Sequence, residues 1–301
     1  MSAIAEKIKH FFIRFFYGSK LSLLSLQAFF HYKKLMLIPL LAAIGLALVF
    51  GAIFGFIFML HGYMLQSENA KYVIGVPMTI LLFFCIAFLK TFFAVVGASM
   101  TGQYCQNNQA SLTHAIVEGF KKLRLITAWS TLAAVIRISS GKGKDGKSNS
   151  LFGFVANMSW SYLSFFIYPV IAYENNTFMD SLKRSANLMK TYFGATSGSI
   201  FTFSALYKVS LIVLLGYAYL MRFIFNNLLL VVKHLSFLPD ITITYFLIFV
   251  FIPCFCIGFW FILEVAFTAQ VAVSTILYRY VNNQLTGIFN RATLEDAVKA
   301  R

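Results

Sequence analysis

The chain has 301 residues, 59% of them hydrophobic and 12% charged, with 25 Lys and Arg against 10 Asp and Glu. Soluble domains carry about 25% charged residues, so half that share excludes an ordinary water-soluble domain and makes lipid the expected solvent. A net charge of +15 would suggest nucleic acid in a soluble protein. Here the bases edge apolar runs, where cytoplasmic flanks and anionic headgroups account for them, and no nucleic acid is expected.

In chain order, the first element is a basic, Phe-rich amphipathic segment over 4–30. It does not read as a cleavable signal, because Arg14 interrupts the run from Phe11 to Phe16 and no small-residue cleavage site follows. Residues 35–60 then run 26 positions without a charge, where a membrane-spanning helix needs roughly 20. A second span is expected over 72–97. The stretch LITAWSTLAAVI, 125–136, is short and lies between Arg124 and Arg137. Alone it looks interfacial, but letting it cross concentrates the outlying Lys and Arg on the N-terminal side, and snorkelling bases lengthen it from both ends. A fourth span is expected over 151–173, a fifth between 190 and 233, and a sixth over 241–263 with helical character continuing toward Tyr278.

The expected fold is therefore all-α, a polytopic transmembrane helical bundle of about six spans with amphipathic interfacial helices on the cytoplasmic side. The organisation is a single membrane domain: 31–105 and 106–173 hold the first two span pairs, 174–278 an interfacial helix and the third pair, and 279–301 a short polar tail. Both termini are expected in the cytoplasm. A lysine-rich outer loop, Lys142 to Lys147, runs against the charge rule. Amphipathic stretches at 4–30, 108–123 and 178–193 precede the three pairs, a plan of organisation without a residue-level repeat.

The third amphipathic stretch spaces Phe178, Leu182, Ala186, Met189 and Phe193 along one helical face, with Met179 extending it. Thr177 and Asp180 resemble a capping box, and Gly194 suits the position after a helix end. Its bases Lys183, Arg184 and Lys190 read either as contacts for anions or lipid headgroups or as the solvated face of a connector.

Charges inside apolar runs are the leading functional candidates. Lys90 and Glu264 both sit toward the inner ends of their spans, so an ion pair joining the first unit to the third is expected. Lys208 and Arg222 have no evident acidic partner and read as anion or headgroup contacts or as snorkelling bases. Gly51 and Gly55, and Gly194 and Gly198, form GxxxG pairs that mark helix-packing faces, within one chain or between chains. Catalytic residues are not expected. The five histidines are scattered, and no GxSxG, P-loop or dinucleotide motif is present. Four cysteines form neither a disulfide framework nor a zinc spacing, Cys254 and Cys256 pointing to nearly opposite helix faces. No metal or cofactor is expected.

The segments HYKKLMLIPLLAAIG, SWSYLSFFIYPVIAYE, SLKRSANLMKTYFG and ILYRYVNNQLTGIF fall in an order that resembles a family of prokaryotic six-span integral membrane proteins without an assigned activity. That family is distantly similar to the membrane region of some glycerophosphodiester phosphodiesterases. The resemblance covers nearly the whole chain and implies a multi-pass protein of the cytoplasmic (inner) membrane; it supplies no catalytic residue. The Phe-rich segment Ile8 to Phe16 and the lysine-rich loop depart from it. Two functions follow as expectations. One is a channel or transporter-like bundle, with homo-oligomerisation left open, passing a small or anionic solute by a path lined with residues such as Lys208, Arg222, Asn226 and Asn227. The other is a non-transporting scaffold or lipid-binding protein whose bases meet anionic membrane lipids.

Overall fold

The computed structural model describes residues 2–66, 68–107, 109–140, 162–233, 240–282 and 284. Among these the chain is helical throughout, with no strand. The elements are α1 (Ser2–His31), a short 3-10 turn (Lys33–Met36), α2 (Leu37–Gln66), α3 (Glu68–Asn107), α4 (Leu112–Lys121) and α5 (Leu123–Ser140). They continue with α6 (Tyr162–Tyr173), α7 (Phe178–Thr191), α8 (Phe193–Lys233) and α9 (Asp240–Val281). The lysine-rich loop, the first half of the expected fourth span and the polar tail beyond residue 284 lie outside the described residues.

Four helical stretches are long and apolar enough to cross a membrane: Lys33–Ile53, Val73–Gln106, Phe193–Gly216 and Trp260–Val281. Two more, Leu123–Ile136 and Tyr162–Tyr173, are apolar but shorter. The molecule is thus a helical bundle of membrane-protein type. Helix α3 is central, packing on α2, α4, α5 and α9, while α8 and α9 also pack together. The interior joins these elements through fully buried Phe29, Ile38, Met100, Trp129, Phe165, Phe166 and Ile276. Outward, α8 exposes Phe201, Ile212, Leu215 and Tyr219, the apolar cladding expected where lipid replaces water.

Lipid supplies little hydrophobic drive between helices, so close packing and hydrogen bonds must hold them. The contact of α1 with α8 is built that way. A Cβ on Gly18 would lie 2.1 Å from the Ala195 carbonyl oxygen, and one on Gly198 would lie 2.0 Å from the Phe15 carbonyl oxygen. Backbones touch there, and hydroxyls bridge them: Ser199 Oγ donates to the Gly18 carbonyl at 3.1 Å and Ser19 Oγ to the Gly198 carbonyl at 3.2 Å.

Gly194 belongs to the same contact. It lies in the first turn of α8 rather than capping α7, and a Cβ there would sit 2.7 Å from Cβ of Arg14. Helix α7 ends instead at Tyr192, whose backbone N–H bonds the Leu188 carbonyl. Gly51 and Gly55 do not form a packing pair within the described chain, because nothing among the described residues comes within 4 Å of a Cβ at either position. The reason is rotational. The side of α2 that carries Ile38, Ala42, Leu46 and Ile53 is buried, and at 100° per residue Gly51 and Gly55 fall on the opposite, exposed side.

The buried face of α7 overlaps the apolar stripe read in the sequence, since Phe178, Leu182 and Met189 pack on the core, but it is rotated toward a row of small residues. Ser181, Ser185 and Leu188 are buried, whereas Met179 and Ala186 are exposed. Small hydroxyl residues let α7 approach α6, and Ser185 Oγ donates to the Leu163 carbonyl at 2.8 Å. The amino-terminal cap holds as spaced, Thr177 Oγ1 accepting from the Asp180 N–H at 3.3 Å.

Candidate functional site

Three groups of charge are organised on this frame. The first is within the span pair α3 and α9, where Lys90 Nζ lies 3.1 Å from Glu264 Oε1. Glu264 is 1% exposed and Lys90 22%, so the acid is the more deeply held partner. The ammonium also sits 5.8 Å from the Trp260 ring centroid and 5.4 Å from that of Phe267, within range for cation–π attraction. Glu264 Oε1 has no aligned hydrogen-bond donor, so the contact is an ion pair by proximity rather than a hydrogen-bonded bridge. The structure therefore brings together the two residues paired from the sequence.

The second group gathers where the ends of α3, α6 and α9 meet α7. Glu174 follows α6 and is surrounded by donors. Its Oε1 accepts from Tyr278 Oη at 2.7 Å and from Arg184 Nε at 3.3 Å, and Asn176 donates to its Oε2. Arg184 continues to Asn282 Oδ1 at 3.1 Å. Lys122, at the junction of α4 and α5, donates to the Glu174 carbonyl at 2.8 Å and to the Asn175 side chain. Partial burial pushes the Lys122 ammonium pKa down, against the upward pull of Glu118.

Arg279 lies beside this network without joining it. It is 4% exposed. Its guanidinium carbon stacks 4.5 Å from the Tyr173 ring centroid, while Tyr173 Oη donates to the Ala98 carbonyl at 2.7 Å. Gly102 of α3 makes this arrangement possible, since a Cβ there would fall 1.7 Å from Tyr173 Oη and 2.6 Å from Arg279 Nε. Arg279 Nε and Nη1 are buried without an aligned hydrogen-bond acceptor, the Tyr173 hydroxyl being the polar group beside them, and no carboxylate pairs with the group among the described residues. An arginine keeps its charge at any biological pH, so stacking on Tyr173 compensates the lost hydration only in part. Arg279 opens on a cavity of about 690 Å³ that is also lined by Gln106, Tyr173, Glu174, Tyr278, Asn282 and Gln284.

The third group is a groove of about 560 Å³ next to Lys122. Lys121 and Arg124 stand exposed on its lip, Leu125, Ala128 and Phe178 form an apolar wall, and Asn175, Asn176 and Thr177 close the other side. Lys121 pairs with Glu118 at 2.7 Å, and this hydrogen bond holds the Glu118 carboxyl below its ordinary pKa.

Of the other bases expected to meet anions, Lys183 and Lys190 are exposed on α7. Arg184 is engaged by Glu174 and Asn282, and Lys208 stands on the exposed flank of α8 rather than in the bundle. Arg222 lies in α8, and its side chain is outside the described residues. Sequence reasoning missed Arg279, Gly102, Glu174 and Lys122. Arg279 stands after an apolar run, where a flanking base is ordinary, and the cluster Tyr278, Arg279, Asn282 and Gln284 was the signal that it is more than a flank.

These observations define a helical membrane protein with organised positive charge at one end of its bundle. No family model, curated protein or solved structure matches the chain, so the site must be read from its own geometry.

Proposed function

We propose that the protein is a non-transporting scaffold or lipid-binding protein of the prokaryotic cytoplasmic membrane, with both termini inside, that holds anionic phospholipid at its cytoplasmic rim. The family resemblance supports the location. The observation that carries the activity is the groove beside Lys122. Its lip is cationic and its wall is apolar, at the head of the apolar helix α5. A ligand matching both parts is itself amphipathic, with a negative head and a hydrocarbon body.

A transport path needs polar lining through the bundle. The largest fully buried side chains among the described residues are instead apolar, such as Trp129, Phe165, Phe166 and Ile167. Buried hydroxyls such as Thr91, Ser130, Thr268 and Thr275 bond to their own helix backbone, and Lys208 is exposed on the flank of α8. These features support the lipid-binding reading over a channel for small anions. Native mass spectrometry of the purified chain tests it. Phosphatidylglycerol should be retained in preference to phosphatidylcholine, and the double variant K121E/R124E should lose about tenfold of that preference. Equal retention of the two lipids, or solute flux through liposomes carrying the protein, overturns the reading.

A further inference from the structure

Beyond the lipid groove stands the buried guanidinium of Arg279. A fixed positive charge that is 4% exposed, with two nitrogens lacking aligned acceptors, is an incomplete arrangement, because buried charges ordinarily carry a partner. The chain withholds the obvious one. Glu174 lines the same cavity, yet its oxygens are occupied by Arg184, Tyr278 and Asn176. Gly102 removes the side chain that would displace the guanidinium. The remaining rim offers Gln106 and Gln284, neutral amides that donate hydrogen bonds without cancelling the charge.

We propose that Arg279 anchors a binding site for a phosphate oxyanion, admitted through the cavity between the ends of α3 and α9. The planar fork of a guanidinium matches two phosphate oxygens, and amides arriving from α3 and from the residues after α9 suit the further oxygens of a tetrahedral group. A cavity of about 690 Å³ leaves room for a phosphate carried on a larger molecule, either soluble or the head of a lipid.

The experiment uses the full chain purified in neutral detergent. Thermal unfolding is followed against inorganic phosphate, with chloride at matched ionic strength as the reference, and again in nanodiscs of phosphatidylglycerol or phosphatidylcholine. Stabilisation by inorganic phosphate assigns a soluble ligand; stabilisation by phosphatidylglycerol alone assigns a lipid head. In either case Arg279→Gln should weaken the effect about 10- to 100-fold. Gln106→Glu, at an exposed position, offers the guanidinium a carboxylate from within the chain and should weaken it at least about tenfold while leaving the protein folded. K121E/R124E should leave the inorganic-phosphate effect within about twofold and, in phosphatidylglycerol nanodiscs, leave unchanged the part of the effect that Arg279→Gln removes, which separates this site from the lipid groove. No stabilisation by either source, or stabilisation unchanged in Gln106→Glu, overturns the proposal.

Discussion

Helices α3 and α9 meet at two places where charge is buried. At Lys90 and Glu264 a base and an acid stand 3.1 Å apart, with the acid 1% exposed. Further along the same pair, at Gly102 and Arg279, a base is 4% exposed and no acid among the described residues pairs with it. The first meeting is closed within the chain: charge is balanced, and Trp260 and Phe267 flank the ammonium. The second is open among the described residues: aromatic stacking and neutral amides surround the guanidinium, and the carboxylate on the same cavity, Glu174, is bonded to Arg184, Tyr278 and Asn176. Balanced buried charge joins two helices; unbalanced buried charge is left for something to bind. Composition alone does not separate the two, because both are single bases at or near the end of an apolar run.

The largest effect is expected where balance is broken. Glu264→Gln strands the Lys90 ammonium and should cost about 3 kcal/mol in denaturant unfolding, the lower part of the range for an uncoupled buried pair, because Lys90 keeps 22% exposure. Reversing both charges, K90E/E264K, should recover most of what either reversal loses. A double variant as unstable as the single ones would break the first half of the comparison.

Gly102→Ala comes next. The added methyl collides with Tyr173 Oη and Arg279 Nε, so both side chains must shift, at about 1–3 kcal/mol, and phosphate stabilisation should vanish with them. Gly51→Ala is its control. It meets open space among the described residues and should change stability by no more than about 1 kcal/mol, in the favourable direction. Arg279→Gln should be milder than Glu264→Gln despite similar burial. It removes stacking on Tyr173 but also an unpaired charge, and these nearly cancel to within about 1 kcal/mol. A loss as large as that of Glu264→Gln would show that Arg279 is a structural member, with its partner inside the chain.

Legibility from sequence followed the same division. Uncharged runs made the long helices plain, and Lys90 and Glu264 could be paired because each stands toward the inner end of such a run at a matching depth. Rotation about a helix axis was harder to read. Gly51 and Gly55 have the spacing of a packing motif, and only the burial of Ile38, Ala42 and Leu46 on the other side of α2 shows that they face away. In α7 the apolar stripe was right in part: Phe178, Leu182 and Met189 pack on the core, but Ser181 and Ser185 beside them are buried more deeply, by small size and, at Ser185, a hydrogen bond. Arg279 was hidden for a third reason. Its meaning depends on Gly102 and Tyr173, which are distant in sequence and carry no charge that would betray a site.

The smallest prediction supplies the reference in water for both buried cases. Lys121 and Glu118 pair at 2.7 Å on α4 with side chains 63% and 30% exposed. An exposed pair three residues apart on a helix is worth about 0.2–0.5 kcal/mol, roughly a tenth of the effect expected at Glu264. The Glu118 carboxyl is held below its ordinary pKa, chiefly by the hydrogen bond from Lys121. A depressed acid binds its proton less readily when folded than when unfolded, so its contribution is complete above the ordinary carboxylate range. It is lost as pH falls through the folded value. Unfolding of wild type and Glu118→Gln, followed from pH 7 to pH 3, should therefore differ slightly at neutral pH and converge in acid. If Glu118→Gln instead cost as much as Glu264→Gln, burial would not set the worth of a charge in this protein, and the contrast between the two meetings of α3 and α9 would lose its physical basis.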